Sequence, residues 1–135
     1  MKLKHILFCT VLGSSLISFG RSLNLDLLSI WSDNSLTPTT AHNNTYNDVW
    51  GYEQDGKEYA IIGSTHGTHI IDVTTPSSPN EVVFIPGNQP STQYSAVIHR
   101  DYHTYKNYLY MVSDEGTTNL KIADLSSLPS SAPVV

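Results

Sequence analysis

The chain has 135 residues, enough for one ordinary domain and no more. Hydrophobic residues make up 39% and charged residues only 14%, which is typical of a globular chain rather than a disordered one. The formal net charge of −5, without any cluster of Lys and Arg, argues against nucleic acid as a partner.

Residues 1–20 have the pattern of a secretory signal peptide. Two lysines supply a positive start, Ile6–Ile17 form a short apolar run, and small residues follow it. The run is shorter than the roughly 20 residues that cross a bilayer, and an uncleaved N-terminal anchor is the alternative. The only cysteine, Cys9, lies inside this segment, so the processed chain would contain no disulfide. We therefore expect a secreted or cell-surface protein.

Residues 21–45 are predicted to be a short strand followed by a polar loop. Apolar and polar residues alternate in Leu23–Leu28, which favours a strand. Ser32–Asn44 is rich in turn-forming residues and contains Pro38, which indicates a loop.

From Tyr46 onward the pattern is that of short β-strands. Three buried strands are predicted, with a turn at Thr65–Thr68 between the first two and a Pro-bounded loop at Thr75–Asn80 before the third; the strands are Glu58–Gly63, His69–Val73 and Glu81–Ile85. Asp55-Gly56 is a hairpin tip by its composition. Outside the signal peptide no apolar period of 3.6 residues occurs, so helices are not expected.

The strand pattern recurs with a period near 50 residues. Tyr59–Gly63 aligns with Leu109–Ser113, Gly67 with Gly116, Ile71–Val73 with Ile122–Leu125, and Asp48 with Asp101, each Asp coming ahead of a strong strand. Such a period is typical of propeller blades, although two β-rich halves of one sandwich would give a similar match. We predict an all-β fold of β-propeller type.

The two units are residues 46–90 and residues 91–135, and the second lacks its final strand. Closure of a propeller takes roughly four to eight blades. The sequence therefore predicts about two blades of an incomplete propeller.

The combined motifs resemble the choice-of-anchor B family, whose members carry LVIVD-type repeats. The resemblance rests on Tyr46–Tyr52, Glu58–Gly63, Gly67–Thr74 and Tyr110–Ser113, and it extends over roughly Leu25–Val135. It implies a propeller fold and an extracellular or cell-surface address, with membrane attachment only through a C-terminal anchor. It implies no reaction. His99 and His103 depart from the family's pattern, which has an aromatic and a basic residue there.

Asp48 and Asp101 are the candidate metal ligands, because loops at one rim of a propeller converge on its channel. Equivalent carboxylates there could bind a hard cation such as Ca²⁺. The alternative is that each Asp caps its own turn. The histidine pairs His66/His69 and His99/His103 are weaker candidates, because strand residues four apart lie about 13 Å from each other.

The candidate binding residues are Trp50, Tyr52, Arg100 and Tyr105. The aromatic side chains among them could stack on a sugar or a peptide, although such residues more often belong to a blade core.

Two functions remain open on the sequence alone. The favoured one is a non-catalytic binding or scaffold module with an extracellular protein or glycan partner and no cofactor, because the chain contains neither a nucleophile motif nor a phosphate loop. The alternative is an enzyme that uses Asp48 and Asp101 in a channel-located metal or acid/base site.

Overall fold

A computed structural model describes residues 25–129 as an all-β fold of two antiparallel sheets. Sheet A contains β1 (Tyr46–Gln54), β2 (Lys57–Ser64), β3 (Gly67–Asp72) and β4 (Asn80–Pro86), and sheet B contains β5 (Arg100–Tyr105), β6 (Tyr108–Ser113) and β7 (Lys121–Asp124). In the sequence, a short 3₁₀ helix, Ser91–Gln93, connects β4 of sheet A to β5 of sheet B. The strands of each sheet pair in chain order and neither sheet is closed. The predicted fold class, about two blades of an incomplete propeller, is confirmed; the predicted signal peptide lies outside the described residues.

Each sheet starts with a hairpin whose turn has two residues. In sheet A the tip is Asp55-Gly56, as predicted, with φ values of 52° and 74°. Two successive positive φ values define the turn that matches the twist of paired strands. In sheet B the tip is Lys106-Asn107, since Tyr105 pairs with Tyr108.

The first strand of each sheet was not foreseen. Asp48 and Asp101 come ahead of the predicted strong strands, which are β2 and β6, but each lies inside a strand of its own, β1 or β5. Both strands carry many polar side chains, so their apolar alternation is weak in the sequence. Asp48 has φ 46° and sits where the β1–β2 register shifts between Asn47 and Val49. Such a β-bulge leaves one residue outside the ladder.

Two local predictions are wrong. Leu25–Leu28, the described part of the first predicted strand, forms no strand, and Leu25, Leu27 and Leu28 are 62–79% exposed. Alternation over so few residues predicts a strand only where a neighbouring strand is available to pair with it. Gly67 and Thr68, predicted to be in a turn, already belong to β3.

The core lies between the two sheets. Side chains from both sheets form one buried cluster, which consists of Tyr59, Ile61, Ile70, Ile85, Tyr102, Leu109, Met111, Ala123, Leu125 and Leu128. Sheet A contributes one face, and sheet B covers it. Burial of apolar area of this kind is the main stabilising contribution.

The register corrects the alignment of the two repeats. Lys57 and Tyr108 are the first residues after the two hairpin turns, so they occupy equivalent positions. Tyr59 lies two residues after Lys57, whereas Leu109 lies only one residue after Tyr108. Because side chains alternate across a strand, a shift of one residue exchanges the two faces. The predicted pairing of Tyr59 with Leu109 therefore matched two buried residues that occupy opposite faces of their sheets.

Asp72 and Asp124 are the last residues of the third strand of each sheet, β3 and β7, and both form turns. Their Oδ1 atoms accept hydrogen bonds of 2.9 Å from the amides of Thr74 and Ser126. The hydrogen bonds to these two residues lower the pKa of both carboxyl groups. The repeat is thus also visible in how its strands end.

We expect Gly56→Ala to lower the free energy of unfolding by about 1–2 kcal/mol, because an L side chain is strained at this positive φ. Urea unfolding measures the change. Gly51→Ala is the matched control, since a Cβ there would meet nothing within 4 Å and stability should stay within about 0.5 kcal/mol. Equal losses in the two variants would contradict the assigned turn.

Candidate functional site

The first strands of the two sheets are joined through Arg100. The side-chain amide of Asn47 bonds the backbone of Arg100 twice, donating from Nδ2 to the carbonyl and accepting at Oδ1 from the amide, both at 3.2 Å. Arg100 Nε donates to the carbonyl of Ser64 at 2.7 Å. Burial lowers the pKa of the guanidinium. Arg100, a predicted binding residue, is therefore only 5% exposed and lies between the sheets.

Asp48 and Asp101 are both exposed. The Oδ1 of Asp48 accepts a hydrogen bond of 2.9 Å from the amide of Val49, which is the local bonding that the alternative interpretation predicted. Within residues 25–129, no group of three or more His, Cys, Asp or Glu residues could hold a metal ion.

Both carboxylates act on Tyr102, which is buried between the sheets. Its hydroxyl lies 3.0 Å from Thr68 Oγ1. Burial raises the pKa of Tyr102 to about 12, and the negative charges of Asp48 and Asp101 add to this effect. The two predicted metal ligands thus help to keep the buried phenol of Tyr102 neutral.

Trp50 and Tyr52 are brought together on β1. Trp50 Nε1 donates to Thr104 Oγ1 at 3.0 Å, and its ring lies 5.0 Å from that of His103. The Tyr52 ring lies 6.3 Å from that of Tyr59. Both residues pack against the core, as the alternative interpretation had it.

Trp50 and Tyr52 also contribute to the wall of an open groove on sheet A. The groove has a volume of about 490 Å³, and its lining combines small and apolar residues with two glutamates; the lining residues are Val49, Trp50, Gly51, Tyr52, Glu53, Glu58, Tyr59, Ala60 and Val73. Gly51 and Ala60 face each other across β1 and β2. Two small residues at paired positions leave room for a ligand at this point.

Tyr105 is not part of this groove. It is 61% exposed at the hairpin tip of sheet B, and Lys106 Nζ lies 5.5 Å from the centre of its ring. The four predicted binding residues therefore lie in three places: the groove, the junction between the sheets and the tip of sheet B.

A serine, a histidine and a carboxylate form a hydrogen-bonded chain that sequence reasoning missed. His69 Nε2 lies 2.9 Å from Ser64 Oγ, and His69 Nδ1 lies 2.8 Å from Glu81 Oε2. The residues come from β2, β3 and β4, so only the pairing of the strands brings them together. Ser64 and His69 flank one tight turn, which is the only signal that the sequence offered.

The distances match those of a nucleophile, base and carboxylate in a hydrolase, but the surroundings do not. Ser64 is 0% exposed, and its Oγ also accepts hydrogen bonds of 3.2 Å from the amides of His66 and Gly67. Trp31 and Phe84 cover the ring of His69 at 5.1 and 4.7 Å. The chain therefore fastens the β2–β3 turn to β4.

The remaining histidines that the sequence singled out are held separately. His66 stacks on Tyr94 with ring centres 3.9 Å apart, and burial lowers its pKa. His99 Nδ1 lies 2.9 Å from Glu115 Oε1. The ring of His103 lies 5.0 Å from that of Trp50, tilted by 57°.

In comparisons with known proteins, no family model, no curated protein and no solved structure matches the chain. The class is therefore defined by the fold itself, which is an all-β chain of two blade-like antiparallel sheets.

We expect Tyr102→Phe to change how stability depends on alkaline pH. With a folded pKa near 12 and an ordinary value of 10.0, the unfolded chain loses its phenolic proton first as the pH rises. The free energy of unfolding of the wild type should therefore fall by about 1.4 kcal/mol between neutral pH and about pH 11, and further at higher pH. Tyr102→Phe has no phenolic proton at this position, so its free energy of unfolding should not show this part of the alkaline loss. Urea unfolding of both proteins at neutral pH and at about pH 11 measures the difference. Equal losses of unfolding free energy in the wild type and the variant would contradict the raised pKa of Tyr102.

We also expect the chain to bind no Ca²⁺ through Asp48 and Asp101. Each carboxylate is exposed, and neither belongs to a metal-ligating group within the described residues. Calorimetric titration with Ca²⁺ should give the same heats for the wild type and for Asp48→Asn with Asp101→Asn. A saturable heat that disappears in the double variant would support the metal-site hypothesis.

Proposed function

We propose that this chain is a non-catalytic binding or scaffold module of β-propeller repeat type that acts outside the cell or on its surface. The observation that carries the proposal is the groove of about 490 Å³ on sheet A, which is open and mainly apolar in its lining. An apolar concave surface with a few polar groups is the usual form of a binding site.

The chemistry of the groove favours a protein partner. Val49, which is 61% exposed, and the carboxylates of Glu53 and Glu58 all lie within its lining. A partner segment with apolar side chains and a flanking positive charge would complement both features. The extracellular address is supported by the leader-like pattern of residues 1–20, and no helix among the described residues is long and apolar enough to cross a bilayer.

The enzyme alternative has less support. Within residues 25–129, the Ser64–His69–Glu81 chain joins catalytic residue types by hydrogen bonds, but its serine is 0% exposed. A nucleophile acts only where a substrate can approach it. The groove, in contrast, is open to a partner.

We test the groove with a labelled peptide in which Val and Tyr alternate and the ends are Lys. Fluorescence anisotropy should show binding to the wild type, and binding should weaken at least about tenfold in Gly51→Trp. The backbone at this position accepts a side chain, because a Cβ at Gly51 meets nothing within 4 Å, and Gly51 belongs to the lining of the groove.

Val82→Trp is the matched control, since Val82 is 37% exposed on β4, away from the groove lining. It should bind the peptide as the wild type does. Equal binding by Gly51→Trp and the wild type, or no binding by either, would refute the groove as the binding surface.

A further inference from the structure

A small polar pocket lies where the end of β4 meets sheet B. Its lining includes Pro86 and Gly87 at the end of β4 and, from sheet B, Arg100 and Lys121. The pocket admits the centre of a water-sized sphere over about 10 Å³, which is room for one small molecule or ion. It shares no lining residue with the groove on sheet A, so it is a separate site.

One nitrogen of the Arg100 guanidinium is buried at this pocket without an acceptor. Arg100 is 5% exposed, and its Nε is the atom that bonds the carbonyl of Ser64. Its Nη2 is buried and has no hydrogen-bond partner among the described residues. Nη2 lies beside Gly87, since a Cβ at that glycine would be only 2.6 Å from it. A buried charged donor that lacks an acceptor is costly, so this atom points to a ligand.

Lys121 brings a second positive charge to the same pocket. Its Nζ donates to the carbonyl of Pro86, and an ammonium group has two further donors. Burial and the positive charge of Arg100 both lower the pKa of Lys121. Two cations that repel each other are stabilised by an anion that contacts both of them.

The lining of the pocket contains no carboxylate that could play this part. Within residues 25–129, neither Arg100 nor Lys121 forms a salt bridge. The negative charge of Glu115 acts on Arg100, but this carboxylate is bound elsewhere. Its Oε2 accepts hydrogen bonds from the amides of Ile98 and His99, and its Oε1 lies 2.9 Å from His99 Nδ1. The pocket is therefore a site of positive charge.

The side-chain amide of Gln89 also lies near the buried guanidinium. Its Oε1 would be 2.0 Å from a Cβ at Gly87, and like Arg100 Nη2 it is buried without a hydrogen bond. A water molecule that bridges these two atoms would satisfy both. It would leave the charges of Arg100 and Lys121 uncompensated, however, and Gln89 does not belong to the lining of the pocket. The charge of the site therefore favours an anion.

We propose that this pocket binds one small inorganic anion, of the size of chloride, through Nη2 of Arg100 and Nζ of Lys121. Both contacts are charge-assisted hydrogen bonds. Arg100 begins β5, Lys121 begins β7 and Gly87 follows β4, so the bound anion connects the two sheets. The limited room selects a monoatomic ion over a bulky one. The inference is independent of the groove and of the function proposed for it.

The test is thermal unfolding of the full chain while sodium chloride replaces sodium gluconate at constant ionic strength. An anion that binds only the folded chain raises its Tm. We expect the Tm of the wild type to rise with chloride and to saturate, and bromide to act as chloride does. Gluconate is too large for the pocket, and the constant ionic strength removes general screening as a cause. Circular dichroism checks that each protein is folded before heating.

Two lysine variants locate the effect. Lys121→Gln removes one charged donor, so its half-saturating chloride concentration should rise by at least about tenfold. Lys106→Gln is the matched control, because it removes the same charge at the hairpin tip of sheet B, outside the lining of the pocket. It should respond to chloride as the wild type does.

Line broadening of chloride-35 NMR signals is a second measurement that requires no unfolding. The wild type and Lys106→Gln should broaden the signal, bromide should reverse this, and Lys121→Gln should broaden it much less. A wild type that ignores chloride in both measurements, as expected if a water molecule occupies the site, would overturn the proposal, and so would equal responses of Lys121→Gln and the wild type. Either result would leave peptide binding in the groove, and with it the proposed function, untouched.

Discussion

The arrangement of the molecule depends on the buried guanidinium of Arg100. It fastens the start of sheet B to the carbonyl of Ser64 at the end of β2, while Asn47 bonds the backbone of Arg100 from β1. A buried charge is costly unless its surroundings are fixed. These hydrogen bonds join β1 and β2 of sheet A to the start of sheet B, next to the apolar side chains that pack between the two sheets.

Once that position is set, the rest of the surface follows from alternation along the strands. Tyr59 and Ile61 are buried because sheet B lies over them, and the opposite face of sheet A is left with Gly51 and Ala60. The same alternation leaves Tyr108 and its neighbours exposed on sheet B. The open groove on sheet A is thus a consequence of how the two sheets pack.

The network around His69 shows how catalytic residue types can serve structure. Its two ring nitrogens bond a carboxylate and a hydroxyl, and aromatic rings cover it. In a small all-β unit, the turn between β2 and β3 has few apolar contacts of its own. A histidine that bonds Ser64 on one side and Glu81 on the other ties this turn to the outer strand.

The sequence by itself determined the class of fold, the hairpin at Asp55-Gly56 and the recurrence of two units, because strand periodicity, turn chemistry and repetition are local properties of the chain. The tertiary structure alone decided which residues meet. It buried Arg100 between the sheets, separated Tyr105 from Trp50 and Tyr52, and joined Ser64 to His69 and Glu81. It also placed Tyr59 and Leu109 on opposite faces, which the aligned repeats had matched. The reason is that contacts between strands depend on register, and a shift of one residue, which barely changes a sequence pattern, exchanges the two faces of a sheet.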